Sequence, residues 1–329
     1  MTELRLVPPD RPLIATPPRA PGSARRSSHV EMSFPEGMPG APGAPIVLTA
    51  AARDVVTGSD GTGRVLADAA LRTAATADRV VTDIAADPAV SGVASLVGLR
   101  AASGWRAAAR EIVPDGVRSP LGLLLDEVPI AVLLSFYAGL RAGTSRPPNG
   151  AAATFMRDIC AGWATGATPM RAIEAGERVP LPRLVPAPPD ISDDPLRSEP
   201  RRPLEPGRLR RTRRIDVLPG DVTVVDAHFR DSWFDPVDGE GVLHEYSLEV
   251  ELDRDGIVLR IAAEPRVLPY GECPRAAQAP QSLVGRHVGE AAETMPTELA
   301  GAASCTHLND LLRAIACAPA LAASAAAES

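Results

Sequence analysis

The chain has 329 residues, is 45% hydrophobic and carries a net charge of −7, which is enough material for two domains of ordinary size with real cores. All 34 of its basic residues are arginine, and Trp, Tyr and Phe number only 3, 3 and 5. An acidic chain so poor in aromatic residues is not built to hold nucleic acid. Four cysteines, Cys160, Cys273, Cys305 and Cys317, are too few for a disulfide-built protein of this length.

The start of the chain, rich in Pro, Arg and Ala, has no continuous apolar segment of the secretory type. Residues 1–24 read as a disordered lead-in. The runs Leu121–Leu125 and Ile130–Leu134 are each too short to span a bilayer. The expectation is a soluble, cytoplasmic protein with reduced thiols, working without membrane or nucleic acid. The short basic run Arg210, Arg211, Arg213 and Arg214 reads as a solvated loop ahead of a strand.

Beyond residue 24 the chain repeats itself. Val65–Val90 aligns without a gap on Val242–Val267, and ten of the 26 pairs are identical. Arg53-Asp54 and Arg230-Asp231 pair in the same register, while Arg25-Arg26 answers Arg210-Arg211 further upstream. Downstream, Ser95–Gly98 answers Ser282–Gly285, and Ser119, Leu123, Ile130 and Ala131 answer Ser304, Leu308, Ile315 and Ala316. This predicts a tandem duplication in a pseudo-two-fold arrangement. A degenerate N-terminal copy fills residues 25–142, a connecting segment 143–209, and a C-terminal copy 210–329. Within the connection, Pro147–Val185 holds a helix with Cys160 and Trp163, and Pro186–Pro206 reads as linker.

The second copy is the more legible. Ile215–Leu218 and Val222–Phe234 read as strands, followed by a turn at Asp238-Gly239. His244, Tyr246, Leu248, Val250 and Leu252 alternate with polar residues, as in a half-buried strand. After the turn at Asp253–Gly256, Ile257, Leu259, Ile261 and Ala263 continue as an antiparallel partner. A loop carrying Cys273, a helix through Leu283 and a final helix capped by Ser304 complete an α+β unit.

Four side chains capable of binding metal sort to this copy alone. His244 stands where the first copy has Ala67, Cys305 where it has Pro120, and His307 where it has Gly122. Cys273 falls in ten residues that only the second copy possesses. Residues needed just for the fold should not sort that way. Nitrogen and sulfur donors of this kind suit Zn²⁺, with Fe the alternative. The expected metal set is His244, Cys273, Cys305 and His307, with Asp310 orienting His307 and Glu245 or Tyr270 moving protons. Strand alternation points Glu245 away from His244. Cys160 lines a cleft between the copies or joins the core, and Cys317 packs. His228 and His287 read as surface or edge residues, and His29 as solvent-facing. No Walker loop, GxGxxG, GxSxG or HExxH motif is present.

The second copy resembles a bacterial family of domains of unknown function. The likeness rests on Arg213-Arg214-Ile215-Asp216, His244-Glu245, the Pro269–Cys273 loop, Ser282–Gly285 and the closing Ser304–Leu308 helix. More distantly, the order strand pair, loop Cys, helix, Cys at the last helix is similar to iron–sulfur cluster scaffolds of the NifU/SufE-like fold. That likeness places Cys273 and Cys305 at two of the scaffold's cysteines and His244 near its acidic ligand; the scaffold's first cysteine has no counterpart here, and Val242 lies near its place. The functional expectation is a metal-dependent hydrolase or lyase acting on a small organic molecule. A non-enzymatic metal or iron–sulfur carrier and a structural zinc module are the rivals.

Overall fold

The computed structural model describes residues 7–34, 44–142, 156–189, 193–290 and 299–328. In chain order these form β1 (Ser23–Ser33), β2 (Ile46–Thr57), β3 (Gly63–Ala75), β4 (Val81–Asp87), α1 (Trp105–Ile112), α2 (Pro120–Ala142) and α3 (Thr168–Glu174). There follow β5 (Val185–Pro186), β6 (Leu209–Leu218), β7 (Thr223–Asp235), β8 (Gly239–Leu252), β9 (Val258–Val267), α4 (Thr306–Ala314) and α5 (Ala318–Ala326).

The strands make one antiparallel sheet in the order β4-β3-β2-β1-β6-β7-β8, with β5 and β9 both paired to β8. The molecule is therefore α+β, and the two central strands are β1 and β6, each the first strand of its half. They pair with Ser27 opposite Arg214 and Ser28 opposite Arg213. Local detail recurs between the halves. The ladder slips after Asp54 and again after Asp231, and after Ala74 and again after Glu251. Val81 N donates to Leu99 O and Val258 N to Arg286 O, both at 2.9 Å. Val81 O then accepts from Gly98 N, and Val258 O from Gly285 N, both at 2.8 Å. The turn position filled by Gly256 at φ 79° is filled by Arg79 at φ 67°, a left-handed conformation that is unusual outside glycine.

All the long helices lie on one face of the sheet. On β6, Leu209, Arg211, Arg213 and Ile215 point to that face by strand alternation. Leu209 belongs to a core built from β1–β3, α1 and α2, and Ile215 to a second core built from β7–β9, α4 and α5. A buried charged seam separates them. The expectation of a solvated basic loop is thus corrected, because Arg210, Arg211, Arg213 and Arg214 are 8%, 1%, 3% and 7% exposed within a central strand. Such burial is tolerable only with partners. Arg211 has Asp231, Arg213 has Glu127, Arg214 has Asp216 and Asp226, and Arg210 has Glu31.

The two apolar runs in α2 form a single 23-residue helix that passes through Pro129. It is long and apolar enough to cross a membrane, yet 89% of its most apolar stretch is buried within the protein. It is a core helix. The segment 7–22, expected to be disordered, lies on the opposite face of the sheet. Arg11 N donates to Arg266 O at 2.9 Å, and Leu13 N to Glu245 Oε1 at 2.5 Å. Residues 193–206 cover the neighbouring strands, where the Glu199 carboxylate meets His29 Nδ1 at 2.9 Å. His29 is consequently buried, not solvent-facing. His228 is buried as well, 3.1 Å from Glu245, and His287 sits half-buried beside the turn at Gly256.

Candidate metal centre

Three elements converge on the site. Asp231 lies on β7, directly opposite His244 on β8, at the point where the ladder slips by one residue. α4 delivers His307 in its first turn, with Cys305 as the residue that caps the helix. Ser304, expected as the cap, instead donates its hydroxyl to Gly301 O at 2.9 Å. The His307 ring stacks between His244, at a centroid distance of 4.0 Å, and Phe229, at 6.4 Å. Ring stacking thus fixes the imidazole; Nδ1 meets Thr306 Oγ1 at 3.5 Å, while Nε2 has no hydrogen-bond partner among the described residues.

The ligand atoms of Asp231, His244 and His307 all lie within 4.8 Å of one another. Asp231 Oδ2 is 3.2 Å from His244 Nδ1 and 4.0 Å from His307 Nε2. Both ring nitrogens are buried and neither makes an aligned hydrogen bond. Buried polar atoms nearly always find a partner; His244 Nδ1 has this oxygen within ion-pair distance and His307 Nε2 has no hydrogen bond, so two imidazole nitrogens and one carboxylate oxygen converge where a cation would fit.

The electrostatics suit that role. Burial alone pushes the Asp231 carboxyl up, but the Arg211 guanidinium and the His244 ring outweigh it and hold it well below the usual carboxylate range. Burial, followed by repulsion from His244, pushes His307 well below its ordinary value. The pair therefore presents an anionic carboxylate and a neutral imidazole, the forms that coordinate metals.

The sequence-derived set is only partly brought together. His244 and His307 join, with Asp231, which sequence reasoning missed. Cys305 Sγ is 4.0 Å from His307 Nδ1 but lies outside the group, and so does Cys273. Cys273 packs against Gly162, where a Cβ would come within 2.7 Å of its sulfur. Cys160 stands beside them, because Ala161 N donates to Ser304 O at 2.8 Å. Burial and the neighbouring Cys160 push the Cys305 thiol up to about 12, and burial with Cys305 raises Cys273 well above its ordinary value.

The three expected catalytic helpers are placed elsewhere. Asp310 does not orient His307; it accepts from Arg211 at 3.1 Å, Arg106 at 3.2 Å and Arg313. Glu245 points to the opposite face, bonded to Arg230 at 2.7 Å. Tyr270 donates its hydroxyl to Pro180 O at 3.2 Å and packs edge-on to Trp163.

In the first half the equivalent place is closed. Arg26 grips Asp54 as Arg211 grips Asp231, but Ala67 and Gly122 replace the two histidines. A Cβ on Gly122 would lie 1.8 Å from Gly116 O, so no imidazole fits there.

No curated protein and no solved structure matches the chain, so the iron–sulfur scaffold likeness finds no counterpart. Residues 209–320, from β6 into α5, match the family described as "Protein of unknown function (DUF2889)". The matched stretch, about a third of the chain, contains Asp231, His244 and His307.

Proposed function

We propose that the chain arose by tandem duplication and that its C-terminal copy alone binds one divalent metal ion, Zn²⁺ or Fe²⁺, through Asp231, His244 and His307. The recurring ladder slips and the paired hydrogen bonds described above support the duplication. The convergence of two buried imidazole nitrogens on one carboxylate oxygen carries the metal assignment. Two imidazoles and a carboxylate form a donor set that leaves coordination positions open, as in hydrolytic zinc and non-haem iron sites. A metal held this way polarises a carbonyl or activates water, which gives hydrolase or lyase chemistry on a small organic molecule. Arg211 fixes the Asp231 carboxylate from behind, and Phe229 and His244 fix the His307 ring.

One observation favours a structural zinc instead. The His244 and His307 side chains are only 11% and 15% exposed. Metal content by elemental mass spectrometry tests both readings, on protein prepared without chelator or nickel. About one equivalent is expected in wild type and in His228→Ala, which alters the other face, and none in His244→Ala or His307→Ala. A folded wild type without metal, after exposure to zinc and ferrous salts, would overturn the proposal. Chelation separates the rest: a metal that leaves an intact fold occupies an open site, whereas one whose loss unfolds the domain is structural.

A further inference from the structure

A cavity of about 660 Å³ lies apart from the metal centre. It lies between the two halves, where α1 and the start of α2 face α4 and the segment from Leu299 to Ser304. None of Asp231, His244 or His307 lines it, although Thr306 and Asp310 of α4 do.

Its wall is basic. Five arginines line it, Arg79, Arg106, Arg110, Arg118 and Arg313, against three aspartates, Asp115, Asp126 and Asp310. Asp126 and Asp310 are already spent on Arg106 and Arg313, and Asp310 also serves Arg211. Arg79, Arg110 and Arg118 have no carboxylate partner among the described residues. Burial, and then the like charge of Arg100, disfavours the Arg79 cation. Arg79 is half-buried and Arg110 and Arg118 are exposed, so these three present positive charge along the wall of the cavity.

The floor is apolar. Pro129 and Ile130 of α2 are buried at its base, with Leu133 beside them and Leu299 opposite. A concave site with an apolar floor and a few placed charges is the form that small-molecule sites take. Guanidinium groups read planar anions by two parallel hydrogen bonds.

We infer that this cleft binds an amphipathic organic anion, with a carboxylate or phosphate head on the arginines and an apolar body against α2. The inference stands on the cleft alone and does not require the metal. Thr306 in its wall neighbours His307, so such a ligand also sits next to the helix that carries a metal ligand.

Calorimetric titration of the full chain tests this with naphthoate and naphthyl phosphate, against uncharged naphthalenemethanol and against inorganic phosphate. One or both naphthyl anions should bind, and which of them binds tighter identifies the head group. Both the neutral alcohol and inorganic phosphate should bind at least about tenfold more weakly, as expected for losing a charge-assisted contact or the apolar body. The double variant Arg110→Glu/Arg118→Glu changes two exposed side chains and should abolish binding. Arg254→Glu, on a remote turn, should leave it unchanged. Ala107→Trp fills the cleft without altering charge and should also block it. Equal binding of alcohol and anion, equal binding of phosphate alone, or unaltered affinity in both cleft variants would overturn the inference. Performing the titration on metal-free protein keeps its failure distinct from failure of the metal assignment.

Discussion

Arg211 and Asp231 face each other across β6 and β7, and Arg211 donates from Nε and Nη2 to the two carboxylate oxygens at 2.7 and 3.1 Å. Both side chains are 1% exposed. The same guanidinium also reaches Asp310 at 3.1 Å and Glu127 at 3.5 Å, and lies 5.0 Å over the Phe229 ring. One cation thus compensates three buried acids that come from β7, α2 and α4. It is the point where the two halves and the metal centre are tied together.

Removing that cation strands Asp231, since Glu127 keeps Arg213 and Asp310 keeps Arg106 and Arg313. Arg211→Met keeps most of the volume but leaves buried charge uncompensated, which costs about 3–5 kcal/mol. Urea denaturation should register a loss of that size. The exposed pair Arg254–Asp221, at 78% and 92% side-chain exposure, provides the contrast. Arg254→Ala should change stability by under about 1 kcal/mol. A small effect at Arg211 would mean that the seam does not hold the halves together.

How much of this was legible in the residues follows from where partners lie. The strands of the second half, the Asp253–Gly256 turn and the final helix could be read because alternation and turn chemistry are local. The recurrence of Arg53-Asp54 as Arg230-Asp231 was visible too, and alternation from Phe229 puts Asp231 on the helical face. That was the signal available for the missed ligand. The buried arginines were not legible, because the acids around Arg211 lie 20, 84 and 99 residues away. A polar run looks solvated until its partners are placed. The same limit applies to residues 7–22, whose order comes from sheet edges and side chains more than 200 residues distant.

Gly122 tests why the first half carries no histidine pair. Alanine inside a helix normally gains about 1 kcal/mol over glycine. Here the added methyl meets Gly116 O at 1.8 Å, a backbone atom that a rotamer change cannot move. The overpacking penalty of about 1–3 kcal/mol should win. Gly122→Ala is therefore expected to lower the denaturation midpoint, and a raised midpoint would show that the 113–119 segment yields easily.

Stability should fall on mild acidification. Burial lowers His228 below its ordinary value, although Glu245 pulls the other way. As pH drops through about 6.5, the unfolded chain takes up a proton that the native ring refuses. The unfolded state then binds more protons, so stability rises with pH in this window and is lost as pH falls. His307 is lowered likewise and adds to the slope. Measured between about pH 7 and 5, His228→Gln should flatten the slope but not remove it. An unchanged slope would place the ring in water when the protein is folded.

The four free cysteines should be inert in the native protein. Burial raises every one of them, Cys317 to about 11 and Cys305 to about 12. Thiolate is the reactive form, so at mildly alkaline pH an aromatic disulfide reagent should titrate four thiols in denaturant and react far more slowly without it. Rapid reaction of Cys160, the one cysteine that is not fully buried, would show that its loop opens.

Cobalt distinguishes the ligand set read from the sequence from the one found in the structure. Both contain His244 and His307, but one adds Cys273 and Cys305 where the other adds Asp231. Co²⁺ substitutes for Zn²⁺ in sites of this donor type, and a thiolate bound to it produces an intense ligand-to-metal charge-transfer band in the near ultraviolet. Nitrogen and carboxylate ligands do not. The sulfurs stand outside the converging group, and protonated thiols are poor ligands. The cobalt-loaded protein should accordingly show visible d–d bands without the charge-transfer band, and Cys305→Ser should leave that spectrum unchanged. A strong near-ultraviolet band lost in Cys305→Ser would mean that the metal draws the thiolates in, closing the site with sulfur and leaving Asp231 as the orienting partner of His244.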